Sequence, residues 1–170
     1  DLLLQRLHNV DDKWPNTMCT PRAFHAAVAL ADGGMLIHGG WTDRGGDAQQ
    51  LHEGVLNDAQ VLRPCAERSD PPGFPGNPPP RGPWEWWSPA VTGQPPRKSH
   101  HTLTAVDWRP ELVLAVGGWD GFRRVPHVHA LDTSTWAWSA VRSIGDVPVG
   151  VSDHACASLP SGSILVLGRA

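Results

Sequence analysis

One layout recurs three times along the 170 residues, and it constrains the fold more than anything else in the chain. The first copy runs Pro21-Arg22-Ala23-Phe24-His25, then AAVALADGGMLIHGGW to Trp41. The second runs Pro96-Arg97-Lys98-Ser99-His100, then HTLTAVDWRPELVLAVGGWDG to Gly121. The third is weaker: Pro148, then Asp153-His154, then ACASLPSGSILVLGR to Arg169. Each copy reads as strand, tight turn, strand. His25–Leu30 ends in Asp32-Gly33-Gly34, a hairpin signal, and Met35–His38 ends at Gly39-Gly40. Thr102–Val106 and Leu112–Val116 repeat the pattern up to Gly117-Gly118, and Ala155–Leu159 and Ile164–Leu167 repeat it up to Gly168.

Two further strands follow the glycines. In the second copy they are Val125–Asp132 and Trp136–Val141, joined by Thr133-Ser134-Thr135; in the first they are Asn57–Leu62 and Trp84–Ser88. Between the latter lies PCAERSDPPGFPGNPPPRGP, residues 64–83. So many prolines cannot donate ladder hydrogen bonds, so this stretch reads as an inserted surface loop in extended conformation. Its PxxP-like Pro75-Gly76-Asn77-Pro78 also has the form of an SH3 or WW ligand, a pattern that arises easily in proline-rich sequence. Four strands per unit make one blade of a β-propeller. His100 to His154 spans 54 residues and Gly117 to Gly168 spans 51, one blade period; His25 to His100 spans 75, the excess being the insertion.

PRxxH, a strand closed by two glycines, a later aspartate and then a tryptophan resemble the kelch repeat, over about residues 14–170 apart from the insertion. The resemblance implies an all-β fold, a partial kelch β-propeller. Residues 1–20 would end a preceding blade or form a linker, with Trp14 as that blade's last-strand tryptophan. Residues 21–95 would be a blade carrying the 64–83 insertion, 96–147 a second blade, and 148–170 the start of a degenerate third, which has Gly168-Arg169 in place of two glycines. It also implies structural roles at repeat positions. Gly39, Gly40, Gly117 and Gly118 close the second strands, where the lack of Cβ permits close packing or positive φ. Trp87 and Trp138 wedge between blades, Arg22 and Arg97 link blades, and His25, His100 and His154 are equivalent. The third-strand tyrosine usual in the family is missing; His129 or Leu131 stands in that region. Two blades and two fragments do not close a ring, so the open faces are expected to be covered by more blades of a longer chain or by a neighbour.

A protein-binding role is the leading expectation, with other proteins as partners and no chemistry of its own. The loops after the second strands carry the candidate contact residues: Trp41, Asp43 and Arg44 in the first blade, and Trp119, Asp120, Arg123 and Arg124 in the second. A structural subunit of a large cytoskeletal or ciliary complex and the substrate-recognition part of a ubiquitin-ligase adaptor are the alternatives. No enzyme, cofactor or metal is expected. Histidines at equivalent positions of different blades lie apart around a ring, and His100-His101 on one strand point to opposite faces. Ser152-Asp153-His154 are sequence neighbours and cannot align as a triad. With no tyrosine, these residues supply neither the tyrosine–cysteine crosslink of galactose oxidase nor the nucleophile of a sialidase.

Composition narrows the partners. Net charge is −3, from 14 basic and 17 acidic residues, which argues against nucleic acid or an anionic membrane. Nothing approaches 18 consecutive apolar residues, and the opening DLLLQRL is too short and too charged for a signal peptide. Three cysteines without CxxC spacing fit reduced thiols in an intracellular, cytoplasmic protein, with a cytoskeletal or ciliary location as the alternative. The start at Asp1 suggests a piece of a longer polypeptide.

Overall fold

The computed structural model describes residues 19–43, 54–64, 84–146 and 150–168. The secondary structure of these residues is β throughout. Strands β1 (Ala26–Ala29), β2 (Met35–His38), β3 (Ala59–Pro64) and β4 (Trp84–Trp87) form one antiparallel sheet in chain order. Strands β5 (Thr102–Val106), β6 (Arg109–Val116), β7 (Val128–Asp132) and β8 (Ala137–Val141) form a second, and β9 (Ala155–Ser158) pairs with β10 (Ile164–Leu167). The first strands β1, β5 and β9 pack side by side, so the sheets fan outward from a common inner edge. This is an open section of an all-β propeller. Trp14, most of the Pro-rich insertion, Arg44, Cys65, Pro148 and Arg169 lie outside the described residues.

Local chemistry fixes the turns. Asp32 Oδ1 accepts the Gly34 N–H, and Gly33 takes φ +87° in the β1–β2 turn. Asp132 Oδ1 accepts the Ser134 and Thr135 N–H groups between β7 and β8. The third strands begin later than the sequence suggests, at Ala59 instead of Asn57 and at Val128 instead of Val125; just before them Asp58 O and His127 O accept the Gly39 and Gly117 N–H groups of the same unit. Trp136 belongs to the turn, at φ +55°.

The double glycines join one sheet to the next. Gly40 N–H donates to Lys98 O at 2.8 Å, and Gly118 N–H donates to Val151 O at 2.7 Å. A Cβ on Gly39 would lie 2.2 Å from Lys98 O, and one on Gly117 would lie 2.5 Å from Val151 O. Both also have φ near +60°, so close approach and left-handed backbone coincide at one residue.

Strand pairing corrects the repeat register. Ala26 opposite His38 and Thr102 opposite Val116 occupy the same place before the glycines. The counterpart of His25 is therefore His101, not His100, and the counterpart of Arg22 is Lys98, not Arg97. His154, before β9, matches His101. His100 does not lie on a strand: it takes φ +54°, as do Phe24 (+57°) and Asp153 (+56°) at the same place in their units. These three form a backbone relay, His100 N–H to Phe24 O and Asp153 N–H to His100 O, with the Phe24 and His100 rings stacked 4.0 Å apart.

The core lies between the two complete sheets. Ala26, Leu36, Ala59 and Val61 of the first face Leu103, Val113, Ala115, Leu131 and Trp138 of the second. The tryptophans fill this seam from opposite sides. Trp87 pairs with Val61 and sits edge-on to Trp136 at 5.1 Å; Trp138, 5% exposed, packs against the His38 ring at 4.7 Å. By register the counterpart of Trp138 is Trp86, since Leu62↔Trp86 corresponds to Leu131↔Trp138. After β4 the chain runs along the outer edge of β8, where Thr92 N–H donates to Trp136 O and Trp138 N–H donates to Thr92 O.

Candidate interaction surface

The loop after β6 is shaped by its own side chains. Trp119 pairs its backbone with Ser99 on one side and Arg124 on the other. Asp120 Oδ1 accepts the Phe122 and Arg123 N–H groups at 2.8 and 2.9 Å, and Asp120 N–H donates to Arg123 O. Asp120, grouped in sequence with the contact residues, is thus engaged in holding the loop as a tight hairpin. Arg123 Nε lies 4.0 Å from Asp120 Oδ2 and remains largely exposed, as does Arg124.

This hairpin borders a surface cavity of about 690 Å³, lined by Trp119, Phe122, Arg123, Arg124, Pro126, His127 and Gly150. Phe122 is 73% exposed, and Trp119 is also exposed. Phe24, 55% exposed, belongs to the same end of the fan, in the segment before β1. Two guanidinium groups and two aromatic rings with exposed surface on one constrained loop suit a partner that offers carboxylates beside apolar side chains. The corresponding Trp41 bridges Ala23 and Val55 and is half-buried, and Asp43 is exposed. Phe122, Pro126, His127 and Gly150 were not singled out by the repeat pattern. An exposed phenylalanine next to two arginines was the available signal.

The structural repeat positions behave differently from these. Arg22 Nη1 and Nη2 donate to the Asp58 carboxylate at 2.6 and 2.7 Å, and Nη1 also donates to Gly39 O. The guanidinium holds the Asp58 carboxyl below the usual carboxylate range against its burial. Lys98, in the matching place, is 1% exposed, and Nζ donates to His127 O at 2.8 Å and Ala115 O at 3.4 Å. Desolvation pushes this ammonium down to about 8. Arg97 is exposed and makes no blade-linking bond of the Arg22 kind among the described residues. His154 Nε2 lies 3.0 Å from Thr102 Oγ1. His25, His101 and His154 sit on separate units, and among the described residues no group of three or more His, Cys, Asp or Glu side chains converges on an ion-sized site. Cys19 and Cys156 are free thiols, and burial raises both above the usual range. No described helix is long and apolar enough to cross a membrane.

Over residues 5–170 the chain matches the model of the KLHDC2/KLHL20/DRC7 Kelch-repeats domain. It is 44% identical over 79 residues to kelch domain-containing protein 9 of Homo sapiens, an alignment that covers 45% of this chain and 22% of that protein. To kelch domain-containing protein 9 of Mus musculus it is 42% identical over 76 residues, covering 44% and 21%. The match thus spans about a fifth of the length of these curated relatives. Double glycines that clasp successive four-stranded sheets, inner strands that converge, tryptophans between the sheets and a family match across nearly the whole sequence agree: the chain belongs to the kelch-repeat family.

Proposed function

We propose that this chain is a non-catalytic protein-interaction module, and that its partner docks on the Trp119–Arg124 hairpin through acidic and apolar side chains. Kelch repeats in general serve protein–protein interaction, which is the setting for this finer reading. The observation that carries it is the exposed Phe122 and Trp119 beside Arg123 and Arg124, on a loop already fixed by Asp120. A preorganised loop loses little conformational freedom on binding, so more of the contact energy appears as affinity. The exposed part of these rings gains by burial against a partner.

The test is the affinity of the full-length protein for the partner recovered by crosslinking from its native cells. Arg123→Glu/Arg124→Glu is expected to weaken it at least about 30-fold, the scale of an interface hot spot. Arg109→Glu, at the β5–β6 turn on the opposite end of the sheet, should leave it unchanged. Unaltered affinity in the double variant rejects this docking site.

A second reading, a structural subunit of a larger assembly, is favoured by the open flanks. Leu165, Val166 and Leu167 of β10 are exposed, and β10 pairs only with β9 among the described residues. An apolar strand edge of this kind is a pairing surface for a neighbour.

A further inference from the structure

The seam between the two complete sheets holds a pair of histidines that touch each other. His38 Nδ1, at the end of β2, lies 3.1 Å from His101 Nε2, just before β5. His38 is fully buried and His101 nearly so. Two imidazoles can share this bond only while one nitrogen donates and the other accepts, so at least one ring must be neutral. His38 Nε2 and His101 Nδ1 have no hydrogen-bond partner among the described residues, so a proton added at either finds no acceptor.

Most of the charged groups around the pair oppose that added charge. Lys98, from the segment before β5, presents a buried ammonium whose partners are carbonyls. His129 on β7, His154 before β9 and His25 before β1 also face the pair. Arg22 adds a second cation, and Asp58 is the one carboxylate that acts on His38, already held by both Arg22 nitrogens. Burial first, then the Lys98 charge for His38 and the His38 charge for His101, keep both rings well below the ordinary imidazole range. The next seam is built differently: Val116 stands where His38 does, and His154 meets Thr102 instead of a second histidine.

We propose that this seam is an acid-release joint, in which protonation of the His38–His101 pair separates the first sheet from the second. The sign follows from linkage. Open or unfolded chain takes up a proton on each ring near pH 6.5, whereas the closed seam does not. The closed state is therefore fully favoured above about pH 6.5 and loses ground as pH falls below it. The two protons that the pair excludes contribute roughly a hundredfold change in the opening constant per pH unit.

Hydrogen exchange of the full-length protein, followed by mass spectrometry between pH 7.5 and 5 and corrected for intrinsic rates, reads this directly. The amides that cross the seam are Gly40, Lys98 and His100, bonded to Lys98 O, Leu56 O and Phe24 O. Their protection should drop about a hundredfold per unit below pH 6.5. Gly118 and Asp153, which cross the next seam, should drop at most about tenfold. In His38→Gln/His101→Gln the crossing amides should lose the hundredfold part of this dependence, leaving at most about the tenfold per unit that buried His129 contributes. If the double variant does not fold, His101→Gln alone should cut the slope by about tenfold per unit. Protection that stays constant in the wild type, or a slope that survives the substitutions undiminished, overturns the proposal. Both outcomes are independent of partner binding at the Trp119–Arg124 hairpin.

Discussion

Gly39 and Gly117 are the residues on which each seam turns, because the neighbouring sheet's carbonyl occupies the space of a side chain. Gly39→Ala or Gly117→Ala combines strained positive φ with a backbone clash. Either should cost about 2–4 kcal/mol by urea denaturation. Gly33→Ala, at φ +87° with open space around it, should cost about 1 kcal/mol. Equal losses at all three would mean that backbone conformation alone, and not the clasp, makes these positions glycine. Arg22→Ala removes a charged, bidentate partner from half-buried Asp58, and we expect a loss of about 1–3 kcal/mol in the same assay; Arg97→Ala should stay within about 0.5 kcal/mol. The glycines were legible from sequence because their demand is steric and local. The linking cation was not: PRKSHH offers Arg97 beside Lys98 and His100 beside His101, and only the pairing of β5 with β6 shows which one points into the seam.

At the scale of the strand, a pair of adjacent tryptophans poses the same problem. Trp86 and Trp87 project from opposite faces of β4, and sequence gives no reason to prefer either as the counterpart of Trp138. The register assigns Trp87 to the seam with the second sheet and Trp86 to the opposite face of the first. In the second sheet that face is covered and Trp138 is buried; in the first, Met35, Leu62 and Trp86 remain part-exposed. Trp138→Ala should destabilise by about 3–5 kcal/mol, the range for truncating a buried aromatic. In the full-length protein Trp86→Ala should cost nearly as much, if a further blade covers it; in residues 1–170 alone it should cost about 1 kcal/mol or less. Comparable, small costs in both settings would mean that no blade packs on that face. The strands themselves were legible because apolar runs bounded by DGG, GG and TST turns leave little choice of element. Their starts shifted by a few residues where Asp58 and His127 take on other bonds.

At the scale of the whole molecule, the sheets of the described residues fan from converging inner strands and do not close a ring, with an apolar face on one flank and the β10 edge on the other. Such a section can act through its loops or through its flanks. Repetition reveals what the copies have in common, so the candidate contact loop was only partly readable: Trp119, Asp120, Arg123 and Arg124 were visible in WDGFRR, but the cavity that Trp119, Arg123 and Arg124 line needs Gly150 from the next unit. Crosslinking mass spectrometry of the full-length protein in its native cells separates the two modes. Partner crosslinks concentrated at the end that carries Phe24 and Trp119–His127 are the predicted result. Crosslinks concentrated instead along the Trp86 face and β10 would contradict it, and would make this chain a structural subunit completed by its neighbours.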